Sequence, residues 1–376
     1  MKQQVKSFLR SYMMVIALAI IWIVFAFLTD QVFITPRNIS NLFRQMTVTG
    51  IIALGMAVCI IAGYFDLSIG SVVGATGALS AVALVRWDLG VVPSIVLALC
   101  LGLLIGLFQG VWVAYGKIPA FIVTLGGQLI FRGLVLFLTD SNTIALNDPT
   151  FIFIGQGYLS KPLGYVLTIL AAIILIGMDL RHRNSRKKYG FDNPPITSAM
   201  FRYAFIVIVL GVFIVVMNSY QGIPFPLLIV IALALLFQFL LMKTRTGRYI
   251  YAVGGNSQSA RLSGINNERT VLGVFVLLCF TGAVSGIVSI ARLASAMPST
   301  GTGLELDAIA SCVIGSISLS GGKGSIWGAI LGALVMTSLT NGMSLMAWDT
   351  YVQNIVKGIV LILAVWIDIR NSKQSD

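Results

Sequence analysis

The chain has 376 residues, 57% of them hydrophobic and only 10% charged, with a mean hydropathy of +0.95 and a formal charge of +12. Soluble domains sit near about 45–50% apolar and about 25% charged, so this composition excludes a soluble enzyme and indicates an all-α polytopic membrane protein in a lipid bilayer. The positive charge needs no nucleic acid, because loop lysines and arginines beside an anionic leaflet account for it.

A membrane-crossing helix needs about 20 apolar residues. On that rule the N-terminal run, basic at its start and too long for a signal-peptide core, is a first span at 11–29. Further spans follow at 47–63, 67–85, 91–115, 119–138, 163–179, 202–217, 226–241, 270–291, 304–320, 326–346 and 351–368. That makes about twelve, of which 47–63, 202–217 and 304–320 are short. An even count places both termini on one side. Cationic side chains collect on the cytoplasmic side. With the N-terminus inside, the outer loops hold only Arg37, Arg44, Arg86, Lys161 and Arg292, while Arg132 and Lys357 fall within spans. The other eighteen of 25 lie inside. Both termini are therefore expected in the cytoplasm.

Three stretches are unlike lipid-facing helix. The first, 63–79, carries Asp66, Ser68 and Gly70. The second, 305–334, carries Glu305, Asp307 and a Gly-dense turn with Ser320, Gly321, Gly322 and Gly324. The third is Asn341–Gly342. Broken backbone at membrane depth persists only where protein or water satisfies it. The first two also resemble each other: a shared Leu-Ser is followed by Gly-Ser-x-x-Gly-Ala, with Gly70 and Gly324 offset by 254 residues. An internal repeat of this kind marks the pathway in many transporters. Small residues recurring by chance in packed membrane helices are the plainer alternative. The expected organisation is a first half at 1–160, an inserted helix pair with a basic cytoplasmic loop at 161–224, and a second half at 225–376. Glycines four apart (102, 106 and 110; 282 and 286; 328 and 332) predict close helix packing.

The polar stretch Gly254–Thr270 lies between apolar runs and follows a basic cluster. It has room for a short helix over Ser257–Gly264, with Asn256 or Ser257 capping its start and Gly264 ending it. Such a helix suits docking to a soluble partner; an ordinary solvated loop is the alternative.

Catalytic chemistry is missing. There is no GxSxG and no HExxH, and GGKGS at 321–325 fails as a phosphate loop because Ile317 and Gly324 stand where that motif needs Gly and Ser or Thr. One histidine, His182, cannot build a zinc site, so no metal is expected. Cys59, Cys100, Cys279 and Cys312 lie in apolar runs and read as small buried hydrophobes. The ionisable groups Asp66, Arg132, Glu305, Asp307 and Lys357 fall near membrane depth. They either couple ions or hold the broken helices in shape.

DLSIGS, GKIPAFIVTLG, GRYIYAVGGNSQSARLSGIN, ELDAIASCVIGSISLSGGKGS and YVQNIVKGIVLILAVW, in this order over nearly the whole chain, resemble the sugar-importing permease subunits of ABC transporters, of the ribose/xylose/galactose group. The inserted pair makes the chain most like the xylose type. The resemblance implies a bacterial inner-membrane importer with two facing permease copies. Two ATP-binding subunits would carry the ATP and Mg, so this chain would be no enzyme and bind no cofactor. An extracytoplasmic sugar-binding protein would deliver a monosaccharide. Asn256, Ala260, Arg261, Leu262, Ser263, Gly264 and Ile265 would form the coupling helix that docks to the ATPase. Asp66, Ser68, Gly70, Glu305, Asp307, Ser320, Gly321, Gly322, Gly324 and Asn341 are candidates for the translocation pathway. Ser-Ile-Ser at 316–318 departs from the family's Gly-Thr-Ser and is expected to stiffen that turn. An ion-coupled transporter using Asp66 or Glu305 is the rival from another class. A polyol wants hydroxyl and amide contacts, and Ser68, Ser320 and Asn341 make no dense polar cage. Specificity is therefore expected in the binding protein.

Overall fold

The computed structural model describes residues 2–191 and 196–372. Among them the chain is almost wholly helical: α1 Lys2–Leu28, α2 Pro36–Ile61, α3 Ile69–Val85, α4 Val91–Ala114, α5 Ala120–Thr139, α6 Pro149–Gln156, α7 Lys161–Lys188 and α8 Ile196–Asn218. Then come α9 Phe225–Lys243, α10 Arg245–Gly255, α11 Ser257–Leu262, α12 Asn267–Leu293, α13 Leu304–Ile314, α14 Ile326–Leu345 and α15 Thr350–Ser372. Two short strands, β1 Ile144–Ala145 and β2 Ser295–Ala296, pair antiparallel and clip the end of α5 to the end of α12.

The bundle is built around α2. Thr35 accepts a hydrogen bond from the Asn38 N–H and Pro36 occupies the first turn, so the helix starts on a polar cap with a residue that needs no amide partner. From Met46 to Ile61 every residue is buried. Helices α9, α12, α13 and α14 pack around it, α3 packs on α12, α4 and α5 cover the α3–α12 side, and α1 lies on α14. There the Trp22 indole N–H donates to Ser338 Oγ at 3.0 Å. Helices α7 and α8 lie against each other, and α8 also touches α2. Close packing runs through the predicted glycines. A Cβ at Gly106 of α4 would lie 2.7 Å from Val276 Cα, and one at Gly102 2.6 Å from Ala283 Cβ, so α4 meets α12 backbone to backbone.

Nine described helices are long and apolar enough to cross a membrane, and Met14–Leu28 and Ile69–Val85 are shorter apolar helices. The span expected at 304–320 is instead the eleven-residue α13. It ends at Gly315, after which Ser316, Gly321 and Gly322 all take positive φ, a conformation no helix can continue. The span at 47–63 begins earlier, at Pro36. The basic segment expected as a loop is helical as far as Lys188. Cys100 is exposed on α4, while the other three cysteines are buried. The 254-residue offset carries α13 onto positions 50–60 of α2, and α3 and α14 both begin just after the matched Leu-Ser segments.

Ser316 sits at φ 61°, in the left-handed region where a Cβ costs about 1–2 kcal/mol. Ser316→Gly should therefore raise unfolding stability by about 0.5–1 kcal/mol net of the entropy glycine adds to the unfolded chain. Thermal unfolding in detergent reads this directly. A lowered midpoint would mean that the serine hydroxyl holds the turn.

Candidate functional site

At one end of the bundle three caps follow in close succession. Thr244 accepts from the Gly247 N–H (3.2 Å) and starts α10. Asn256 accepts from the Ser259 N–H (2.8 Å) and starts α11. Asn266 accepts from the Arg269 N–H (2.8 Å) and starts α12. Gly264, at φ 82°, turns the chain between the last two, and Asn267 Nδ2 donates to the Ser257 carbonyl (2.8 Å), tying α11 to α12. The short helix thus has a fixed pose. Ala260 faces inward at 4% exposure, Ile265 is half-buried, and Arg261, Leu262, Ser263 and Gly264 face out. Leu262 is 84% exposed, an apolar side chain on a polar, capped helix. Helix α10 was not legible as a separate element; the Thr244 cap was its signal.

Ser320, Gly321, Gly322 and Gly324 lie at this same end. The Gly322 N–H donates to the Ile61 carbonyl (2.8 Å) and Tyr251 Oη–H to the Gly324 carbonyl (2.9 Å). A Cβ at Gly254 would lie 2.9 Å from the Gly322 nitrogen. The broken turn after α13 is therefore packed directly against α10.

Midway along the bundle the starts of α3 and α13 meet. Asp66 Oδ1 accepts from the Ser68 N–H (2.6 Å) and from the Ser68 hydroxyl (2.7 Å), and Gln109 Nε2 donates to Ser68 Oγ (2.6 Å). Gly70 has no room for a side chain, because Glu305 and the Gly301 carbonyl fill its Cβ position. Glu305 Oε1 accepts from Gln128 Nε2 (3.4 Å), and Arg132 donates to the carbonyls of Pro298 (3.1 Å) and Thr300 (2.9 Å). Lys357 pairs with Asp307 at 2.8 Å. These groups bind irregular backbone and one another, apart from Asp66 Oδ2 and Asp307 Oδ1, which have no hydrogen-bond partner among the described residues. No cluster of three or more His, Cys, Asp or Glu side chains suited to a metal occurs among the described residues.

At the end opposite α11 a cavity of about 390 Å³ opens beside α2. Gln45 and Thr49 of α2, Arg292 of α12, Thr300 and Thr302 before α13, Asp307 of α13, Thr337 and Thr340 of α14 and Lys357 of α15 all line it. Asn341 stands behind this wall. It accepts from Asn38 Nδ2 (2.9 Å) and donates to Gln45 Oε1 (3.3 Å). Of the residues singled out from the sequence as pathway candidates, Asp307 reaches the cavity. Asp66, Ser68, Gly70 and Glu305 lie in the mid-bundle junction, and the 320–324 group lies at the α11 end. The hydroxyl-rich lining is denser than the sequence reading allowed. Thr337, Thr340 and Ser344, three and four residues apart on α14, were its signal.

A many-spanning helical bundle with interrupted segments, a polar cavity at one end and a capped, exposed helix at the other defines a membrane transport permease. A family described as the permease component of branched-chain amino acid transport systems matches residues 38–365. The chain is 45% identical to the xylose transport system permease protein of Haemophilus influenzae, over 97% of this chain and 98% of that one. It is 42% identical to the xylose transport system permease protein of Escherichia coli K12, over 98% and 93%. It is also 34% identical to the ribose import permease protein of E. coli K12, over 98% and 96%. No solved structure matches the chain. The chain belongs to this family of transport permeases.

Proposed function

We propose that the chain is the transmembrane subunit of an ATP-driven ABC importer that moves a pentose, xylose, into a bacterial cytoplasm. The observation that carries this reading is the 45% identity to a xylose transport permease along almost the full length of both chains. The capped helix α11 agrees with it, because a protein-docking helix is what a permease needs when its ATPase is a separate chain. The bias of Lys and Arg towards one set of loops makes the α11 end cytoplasmic and opens the cavity to the outside. Both termini then lie in the cytoplasm.

Two copies face each other, with two ATP-binding subunits holding ATP and Mg below and a sugar-binding protein above. Closure of the ATPase pair pushes on α11. Because α11 follows directly on α10, and Gly254 of α10 is packed on Ile61 and Gly322, the push passes through α10 into the end of α2 and the turn after α13, and the bundles rock between outward- and inward-open states. The relatives lend no support to the rival reading, ion coupling through Asp66 or Glu305.

The test is uptake of labelled xylose into liposomes containing the permease, its ATP-binding subunit and its binding protein. Uptake should require ATP and all three proteins. Uptake that persists without the ATPase and follows a proton gradient would sink the proposal.

A further inference from the structure

Helices α7 and α8 are fastened to the bundle at one end. The Leu159 N–H donates to the Ile223 carbonyl (2.9 Å) and the Phe225 N–H to the Gly157 carbonyl (2.8 Å), which joins the approach to α7 to the start of α9, at the end opposite α11. There Ile214 and Met217 of α8 are buried with Ile39 of α2 and Leu227 of α9, and Phe213 packs edge-on against Phe43 (5.4 Å). At the α11 end the pair is tied to itself. Asp179 pairs with Arg202 (2.8 Å) and accepts from the Tyr203 hydroxyl (2.6 Å). Helices α10 and α11 pack on α2, α9 and α12 instead.

Helix α7 also outruns the membrane. Its 28 residues extend about 42 Å at about 1.5 Å each, against about 30 Å of hydrocarbon. Residues 162–178 carry no charge, and Arg181, Arg183, Arg186, Lys187 and Lys188 follow in the same continuous helix. At 3.6 residues per turn these five are spread around the helix and do not form one stripe. Residues 179–202 hold six Lys and Arg against two Asp, and Asp179 is already engaged by Arg202. Arg181, Lys187 and Lys188 are exposed and enter no ion pair among the described residues. Tyr189 and Phe191 come next in the chain, both exposed, and Phe201 is exposed beside Arg202.

This chemistry fits a lipid surface. A cluster of Lys and Arg directly beyond a membrane helix attracts anionic headgroups, and exposed aromatic rings favour the membrane–water boundary. An acidic protein would match the charge on one side only, whereas headgroups can reach a projecting helix from every side. We propose that the free end of the α7–α8 pair binds anionic phospholipid headgroups, with Arg181, Lys187 and Lys188 as their contacts. The lipids hold the end of the pair that no other helix of the bundle holds. The inference rests on the importer reading only for placing this end in the cytoplasmic leaflet.

The full-length permease, purified in detergent, is titrated with phosphatidylglycerol or phosphatidylcholine, and bound lipid is counted by native mass spectrometry. The wild type should bind its first phosphatidylglycerol at least about tenfold more tightly than phosphatidylcholine, and added salt should weaken only the former. Arg181→Gln/Lys187→Gln/Lys188→Gln should lose about fivefold or more of the phosphatidylglycerol affinity and none of that for phosphatidylcholine. Neutralising Lys243, Arg245 and Arg248, three exposed cations at the same end, should leave the first phosphatidylglycerol in place. A wild type without selectivity overturns the proposal, as does a 181/187/188 variant of equal affinity, or loss of the first lipid from the 243/245/248 variant instead. Displacement of the lipid by inorganic phosphate at constant ionic strength would mark a site for the free ion and overturn it too. So would a 181/187/188 variant that keeps the lipid and drops the ATP-binding subunit from a pull-down. Xylose uptake by the assembled importer, run in parallel, separates the two readings. Selective lipid binding without uptake loses the importer and retains the site; uptake without selective binding does the reverse.

Discussion

Lys357→Met should destabilise the permease by about 3–5 kcal/mol, and adding Asp307→Asn to the same chain should bring it back to within about 1 kcal/mol of wild type. The pair is short, 2.8 Å, and largely withdrawn from solvent, with side chains 22% and 12% exposed. Removing the ammonium leaves a carboxylate with no counter-charge, since its second oxygen already lacks a partner. Such a charge is far more costly alone than the pair is valuable. Asp307→Asn alone should cost less than Lys357→Met. The lysine stem is flexible, and its freed ammonium can swing towards the cavity mouth. The double-mutant cycle in detergent, read by thermal or denaturant unfolding, should thus be strongly non-additive. Additive losses would show that the two groups act separately and that the pair does not hold α15 to α13.

The features legible in the sequence were those set by local chemistry. Most spans followed from apolar runs, though not the length of α2 or the break after α13. The start of α11 followed from a cap at Asn256 or Ser257, of which the structure uses Asn256, and its end from Gly264, because a capping side chain and a left-handed turn act within a few residues of themselves. The four-residue glycine spacing on α4 declared a close helix contact without naming α12 as the partner. What stayed hidden depends on elements far apart in the chain. The cavity draws on α2, α12, α13, α14 and α15, and no single one of these carries enough polar residues to announce a site. The early stop of α13 was also hidden. Its sequence, apolar through Ile314, continues apolar at Ile317, and the break comes from Gly315 packed against the Gly328 carbonyl with Ser316 turned left-handed. Lys357 read as an isolated charge because its partner is 50 residues away. Composition places an ionisable group in the membrane; only the packing of α15 on α13 says what neutralises it.

Gly254→Val should reduce ATP-driven uptake by the assembled importer to below about a tenth of wild type, whereas Gly255→Ala next to it should transport normally. The contrast comes from what each side chain would meet. A Cβ at Gly255 has nothing within 4 Å. One at Gly254 would fall on the Ile61 carbonyl oxygen, 2.8 Å from its carbon and 2.9 Å from the Gly322 nitrogen, so it intrudes on the two groups joined by a 2.8 Å hydrogen bond. These are backbone atoms and cannot rotate away. Overpacking costs about 1–3 kcal/mol, and the lost hydrogen bond adds about 1 kcal/mol. The strain falls on the contact that holds α10 to the end of α2 and to the turn after α13. Gly254→Val protein should still insert and still hold the ATP-binding subunit in a pull-down, since Leu262 and Arg261 remain exposed. What it should lose is transmission: ATP hydrolysis would no longer respond to the sugar-loaded binding protein. Wild-type uptake by Gly254→Val would mean that the force from the ATPase enters the bundle elsewhere. Loss of the pull-down together with uptake would mean that the junction sets the pose of α11 itself.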